Sequence, residues 1–179
     1  MQFIPTRLAD AVLVQPVSHT DDRGSFTRVF CAETFRRHGL KTDVVQANHS
    51  SNPKRGTLRG MHFQQGSAAE VKLVRTVHGA IFDVIVDLRP ASPTFRQWQG
   101  FELSDRNRTM LYVPEGFAHG FQTLTDGAEV VYQVSAPYTP GAEGGLRWND
   151  PAIGIDWPLP VAIISDKDAA WPLLEAAKA

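Results

Sequence analysis

Short apolar runs rich in β-branched residues, cut repeatedly by Gly, Pro, Asn and Asp, leave this chain few ways to fold. They lie at 11–17, 25–30, 44–49, 57–63 and 71–77, then at 80–88, 98–103, 109–113, 120–124 and 129–135. Runs of this length between turn-forming clusters read as strands, and so many of them predict an antiparallel sandwich or barrel. In 80–88 the stretch Ile81-Phe82-Asp83-Val84-Ile85-Val86-Asp87 is nearly continuous apolar. A strand of that kind is expected to be covered on both faces. Two short helices are predicted. One spans 33–38 and stops at Gly39; the other spans 169–177, with Pro172 in its first turn, where no backbone donor is needed. No linker, repeat or low-complexity stretch interrupts the chain, so residues 1–179 read as one domain, long enough to close a sizeable core.

Charge narrows the function. The formal net charge is −1, which gives no bulk attraction to nucleic acid or to a membrane surface. An anionic ligand must therefore be held by individually placed Arg and Lys. The N-terminal Met1–Arg7 lacks the apolar run of a signal peptide. The single cysteine, Cys31, cannot form an internal disulfide, which suits a reducing compartment. Its apolar neighbours Val29, Phe30 and Ala32 predict a buried, inert thiol. The chain reads as cytoplasmic.

Three segments hold more ionisable and amide side chains than strands need for folding: Gln46-Ala47-Asn48-His49-Ser50, Thr57 to Gln64, and Glu70-Val71-Lys72-Leu73-Val74-Arg75. Alternation places Gln46, Asn48 and Ser50 on one face, and sets Arg59, Met61 and Phe63 opposite Gly60, His62 and Gln64, unless a bulge shifts the register. A barrel mouth collecting such groups is a natural pocket for a polar anionic ligand. Taken singly, each residue has a plainer reading: His119, between Pro114-Glu115-Gly116 and Gly120, as a satisfied core imidazole; Tyr132 as strand packing; Ser165-Asp166-Lys167-Asp168 as a helix N-cap with solvated neighbours. Metal sites in such barrels usually need two closely spaced His, a carboxylate and a further His. Here His62 has Gly60 and Gln64 two residues away on either side, and Glu70 and His119 are scattered, so no metal is expected.

With these motifs in order, the chain resembles the dTDP-4-dehydrorhamnose 3,5-epimerase family from about Asp10 to Leu174. The match rests on Asp22-Arg23-Gly24, Gln46 to Ser50, Leu58-Arg59-Gly60-Met61-His62, Lys72-Leu73-Val74-Arg75 and Ser92-Pro93-Thr94-Phe95. It continues through Val113 to Phe121, Trp148-Asn149-Asp150, Ile153 to Pro158 and Ser165 to Asp168. The resemblance implies a mostly β cupin jelly-roll barrel with a few short helices, a homodimer, no cofactor, and a nucleotide-linked 4-keto-6-deoxyhexose as substrate. It implies His62 as general base, Asp168 as its partner, Lys72 as the cation beside the developing oxyanion, and Tyr132 as the acid on the far face. Arg59 and Arg23 match the phosphate-side binders. Phe26, Arg28, Gln46, Asn48, His119, Glu143 and Lys167 match other positions at the substrate, and Tyr138 the aromatic that stacks near the base of the nucleotide. A dimer pocket near the subunit boundary is expected, with the strand around Val12, Leu13 and Val14 pairing across the interface.

One position departs from the family. Where many members carry Glu, this chain has Arg28, whose donors suit the acceptors of cytosine better than the N3–H of thymine. A nucleotide other than dTDP is thus an alternative. So are inversion of C3 or C5 alone, a metal-dependent cupin enzyme, and a non-catalytic sugar-nucleotide binder.

Overall fold

The computed structural model describes residues 1–174 as two antiparallel sheets packed face to face. The first has six strands in the order β1 (Gln2–Pro5), β2 (Val12–Gln15), β10 (Met110–Val113), β7 (Lys72–His78), β12 (Ala128–Val134) and β5 (Gln46–Asn52). The second has five: β13 (Glu143–Gly145), β6 (Leu58–Gln64), β11 (Phe117–Thr123), β8 (Ala80–Asp87) and β9 (Trp98–Ser104). Strands β3 (Ser18–Asp21) and β4 (Gly24–Thr27) form a separate hairpin. This is the expected jelly roll, although its hydrogen bonding does not run continuously around a closed barrel. The described residues contain no helix long and apolar enough to cross a membrane.

Every predicted run contains a strand, with ends shifted by a few residues. Three strands escaped the sequence reading because their composition is not apolar enough: β1 carries Pro5, β3 reads Ser-His-Thr-Asp, and β13 is Glu-Gly-Gly. Apolar side chains of both sheets meet between them, among them Val74, Ile81, Ile85, Leu103, Leu111, Phe117 and Val130. The double cover expected for β8 is present. Ile81 and Ile85 face this inner core, whereas Val84 and Val86 pack outward against Met61, Ala118, Leu146 and Ile153. Chain beyond β13 therefore supplies the second cover, and it crosses the outside of the five-stranded sheet.

That crossing is pinned by polar groups. The buried Gln122 carboxamide donates to Leu159 O at 2.9 Å and accepts from Leu159 N at 3.1 Å. Leu58 N donates to Ile163 O at 2.8 Å, and Arg147 Nε to Trp171 O at 2.7 Å. The segment then enters α2 (Asp166–Ala169), where Ser165 Oγ caps the helix by accepting from Asp168 N at 3.1 Å. The helix expected at 169–177 is corrected accordingly. It starts earlier, ends at Ala169, and leaves residues 171–174 non-helical around Pro172; residues 175–177 lie outside the described residues.

Helix α1 (Ala32–Arg37) matches its expectation, with Gly39 at φ +72° beyond the C-cap. Cys31 does not match. It is the N-cap residue, only partly buried, and its thiol is lowered by hydrogen bonding with Thr34. Strand β2 is a second correction. Both of its edges are filled within the chain, by β1 and β10, so Val12–Val14 offer no free edge to a partner. Asp87 anchors the loop after β8. Burial alone would raise its carboxyl, but Arg89 Nε and Nη2 at 2.9 and 2.8 Å, with Ser92 and Thr94, bring it down to about 2.

Candidate active site

The polar strands converge on one cleft between the sheets, with two lobes of about 280 and 320 Å³. His62, Lys72 and Tyr132 line both lobes and mark where they join. Gln46, Asn48, Tyr138 and Glu143 line the first lobe; Arg59 and His119 line the second.

Arg59 and His62 share the cleft against the simple alternation, and the pairing of β6 with β11 explains it. His119 pairs with His62 but Phe121 with Arg59, so β6 advances three residues while β11 advances two. The extra residue is a bulge that turns Met61 into the outer core and leaves Arg59 and His62 facing inward. Glycine makes the bulge possible. Gly60 has φ +127°, and a Cβ there would stand 2.6 Å from Gly120 Cα.

Behind His62 sits Asp168, with Nε2 to Oδ1 at 2.6 Å. The other carboxylate oxygen accepts from Gly60 N at 3.1 Å. Burial would raise the Asp168 carboxyl, yet the hydrogen bond and charge of His62, with the Gly60 amide, hold it below the usual value. An ionised carboxylate only accepts, so Nε2 donates and Nδ1 remains as the free ring nitrogen. Trp171 packs edge-on to the imidazole, ring centroids 6.2 Å apart.

Lys72 is buried, with its ammonium 3.3 Å from Glu70 Oε1; Glu70 is held in turn by Gln64 Nε2 at 3.1 Å. Burial raises the Tyr132 phenol above its ordinary value, and the charge of Glu70 adds to this. Its hydroxyl makes no protein hydrogen bond among the described residues, so it is free to donate. His119 Nε2 stands 2.8 Å from Asp83 Oδ1. At the mouth, Lys167 Nζ donates to Glu143 Oε2 at 2.5 Å and lies 5.6 Å from the Trp171 ring centroid. Gln46 accepts from Tyr138 N and donates to Asn48 Oδ1, fixing that wall.

Most of the residues singled out in the sequence thus gather at one cleft. Arg23, Phe26 and Arg28 do not. Arg23 sits at the β3–β4 turn, ion-paired to Asp21 at 2.6 Å, and Phe26 is 68% exposed. Arg28 borders a separate depression with Phe26, His19 and Cys31, and none of the three lines the chain's own cleft. Asp83, Glu70 as partner of Lys72, Asn52 and Trp171 were missed. Asp83 did leave a signal: a carboxylate in an otherwise apolar, doubly covered strand needs a buried partner. The metal candidates are dispersed, with Glu70 on Lys72 and each His on its own Asp. No group of three His, Cys, Asp or Glu side chains among the described residues is spaced to hold an ion.

Comparison with known proteins fits this arrangement. The family model for dTDP-4-dehydrorhamnose 3,5-epimerase matches residues 5–176. The enzyme of that name from Salmonella typhimurium is 47% identical, covering 99% of this chain and 97% of its own. The crystal structure of the Bacillus anthracis enzyme with TDP and PPi bound has a TM-score of 0.94 at 44% identity, over 97% of this chain and 99% of that one. The Legionella pneumophila enzyme in complex with dTDP-4-keto-L-rhamnose has a TM-score of 0.92 at 38% identity, over 97% and 93%.

Proposed function

This chain belongs to the dTDP-4-dehydrorhamnose 3,5-epimerase family, and from that premise we propose that it acts as one domain, without metal or cofactor, to invert C3 and C5 of a dTDP-linked 4-keto-6-deoxyhexose. The observation that carries the reading is the junction of the cleft, where a carboxylate-backed imidazole, an ammonium and an unbonded phenol surround one space.

The C4 ketone acidifies the C–H bonds at C3 and C5. His62 Nδ1 takes one of these protons, and the electron pair moves to the C4 oxygen as an enolate. Asp168 keeps the ring in the tautomer that leaves Nδ1 free and stabilises the imidazolium that forms. Lys72 presents its charge to the enolate oxygen, a preorganised contact typically worth about 3 kcal/mol. Tyr132 then donates its hydroxyl proton to the opposite face of the same carbon, and the centre is inverted. Exchange with solvent returns the proton to the phenolate and removes the one on His62. Burial suits Tyr132 to this part, because the raised phenol stays protonated until it is used.

Arg59 and Arg23 are assigned to the diphosphate, and Gln46, Asn48, His119, Tyr138, Glu143 and Lys167 to the rest of the ligand. We further propose a homodimer. Its support is the placement of Arg23, Phe26 and Arg28 on and beside an exposed hairpin, away from their own cleft and able to reach that of a second copy. A nucleotide-linked substrate and a free thiol suit the cytoplasm.

The test is turnover of dTDP-4-keto-6-deoxyglucose in heavy water. Deuterium is expected at both C3 and C5, and a product labelled at one carbon only makes the protein a monoepimerase. Tyr132→Phe should impair inversion more than exchange, since His62 can return a proton on its own face; equal losses assign Tyr132 to positioning. Sedimentation at micromolar concentration checks the dimer.

A further inference from the structure

The cations of the cleft differ in what they face. Lys72 is paired with Glu70 at 3.3 Å, and Lys167 with Glu143 at 2.5 Å, so each brings its own counter-charge. Arg59 does not. Its Nε donates at 2.7 Å to Oδ1 of Asn52, a neutral amide, and its two terminal nitrogens make no protein hydrogen bond among the described residues.

Asn52 is built for that contact. It is the last residue of β5 and fully buried. Its Nδ2 donates to Ala128 O at 3.1 Å and to Ser50 O at 3.3 Å, which fixes the amide and turns Oδ1 toward Arg59. Ser50 Oγ approaches the same oxygen at 3.4 Å. An aspartate there would cancel the charge of the guanidinium and lose the two Nδ2 donations that fix the amide.

We infer that Asn52 is a positioning residue for anion binding: it fixes Arg59 through Nε while leaving the full positive charge and the two terminal nitrogens for a diphosphate. This rests on the assignment of Arg59 to the diphosphate. Arginine binds phosphate best when its planar fork is held in one orientation, and a neutral acceptor achieves this without competing for the charge.

The test is a double-mutant cycle read by calorimetric binding of dTDP, which involves no chemistry and so is independent of whether the protein epimerises anything. Asn52→Asp should weaken dTDP about tenfold, on the scale of one charge-assisted contact to a phosphate oxygen. In an Arg59→Ala background the same substitution should change affinity less than about twofold. With the nucleotide-linked keto sugar, Asn52→Asp should raise KM and leave kcat nearly unchanged, whereas general loosening of the fold would lower both. Unchanged dTDP affinity in Asn52→Asp overturns the inference. So does an equal loss with Arg59 already removed, or an Arg59→Ala variant that binds dTDP like the wild type. Should Asn52→Asp not fold, Asn52→Ala asks the same question, because it removes the acceptor at Nε and leaves the charge and fork of Arg59 in place. It is expected to bind dTDP about tenfold more weakly, and wild-type affinity overturns the inference.

Discussion

Two imidazole–carboxylate pairs lie next to each other across β6 and β11, and they are built in opposite ways. His62 takes its carboxylate from α2, 106 positions along the chain, while His119 takes Asp83 from β8 in its own sheet, 36 positions away. The first pair opens on the cleft, with the His62 side chain 34% exposed; the second is mostly sealed, at 9% for His119, whose ring edge still lines the cleft, and 0% for Asp83. Asp168 has both oxygens bonded, whereas Asp83 leaves Oδ2 buried without a partner among the described residues. A proton-abstracting base needs access and room to change charge. A carboxylate beside an imidazole is therefore not enough to make one, and the sealed pair reads as a fixed part of the wall.

The largest expected effect separates the imidazoles. His62→Asn should lower turnover about 10³-fold, within the range for loss of a general base, and should abolish deuterium uptake at C3 and C5. His119→Asn should cost about tenfold, mainly in KM, as for a lost binding contact. Similar losses in the two variants erase the distinction.

The carboxylates should divide activity from stability. Asp168→Asn should cut turnover about 100-fold, since the imidazole loses its orienting acceptor. Asp83→Asn should keep turnover within a few-fold of the wild type and cost about 2 kcal/mol of stability, because it leaves buried groups mispaired. Urea unfolding beside a turnover assay reads both, and the reverse pattern would assign the catalytic role to the sealed pair.

A smaller effect concerns acid. The Asp168 carboxyl titrates below its ordinary value of 3.8 in the folded protein. Its pairing therefore contributes stability that is fully present above that value and is lost as the pH falls through the folded one. The stability difference between wild type and Asp168→Asn should shrink as the pH falls below about 4. A difference that grows over that acid range contradicts the ionised, accepting Asp168.

Reading the sequence alone recovered the sheets because apolar runs such as Ile81 to Val86 must be buried wherever they go. The polar positions were harder. Alternation put Arg59 and His62 on opposite faces, and only the bulge at Gly60, a tertiary feature of the pairing with β11, brings them together. The role of Asp168 came through resemblance, since nothing local to Ser165–Asp168 announces a partner so far away in the chain. Asn52 was passed over because a strand-end asparagine looks like turn chemistry until its neighbours across β12 and β6 are known. Arg23, Phe26 and Arg28 were legible as family positions, but their distance from the cleft depends on a hairpin whose docking the chain's own pattern does not specify.

The polar pins along the outside of the five-stranded sheet bear on how the enzyme matures. On the ribosome, every strand emerges before Asp168, so a nascent chain possesses its imidazole, ammonium and phenol before the carboxylate that pairs with the imidazole. On the proposed mechanism, competence therefore needs the outer segment docked, with Gln122 on Leu159 and Leu58 on Ile163.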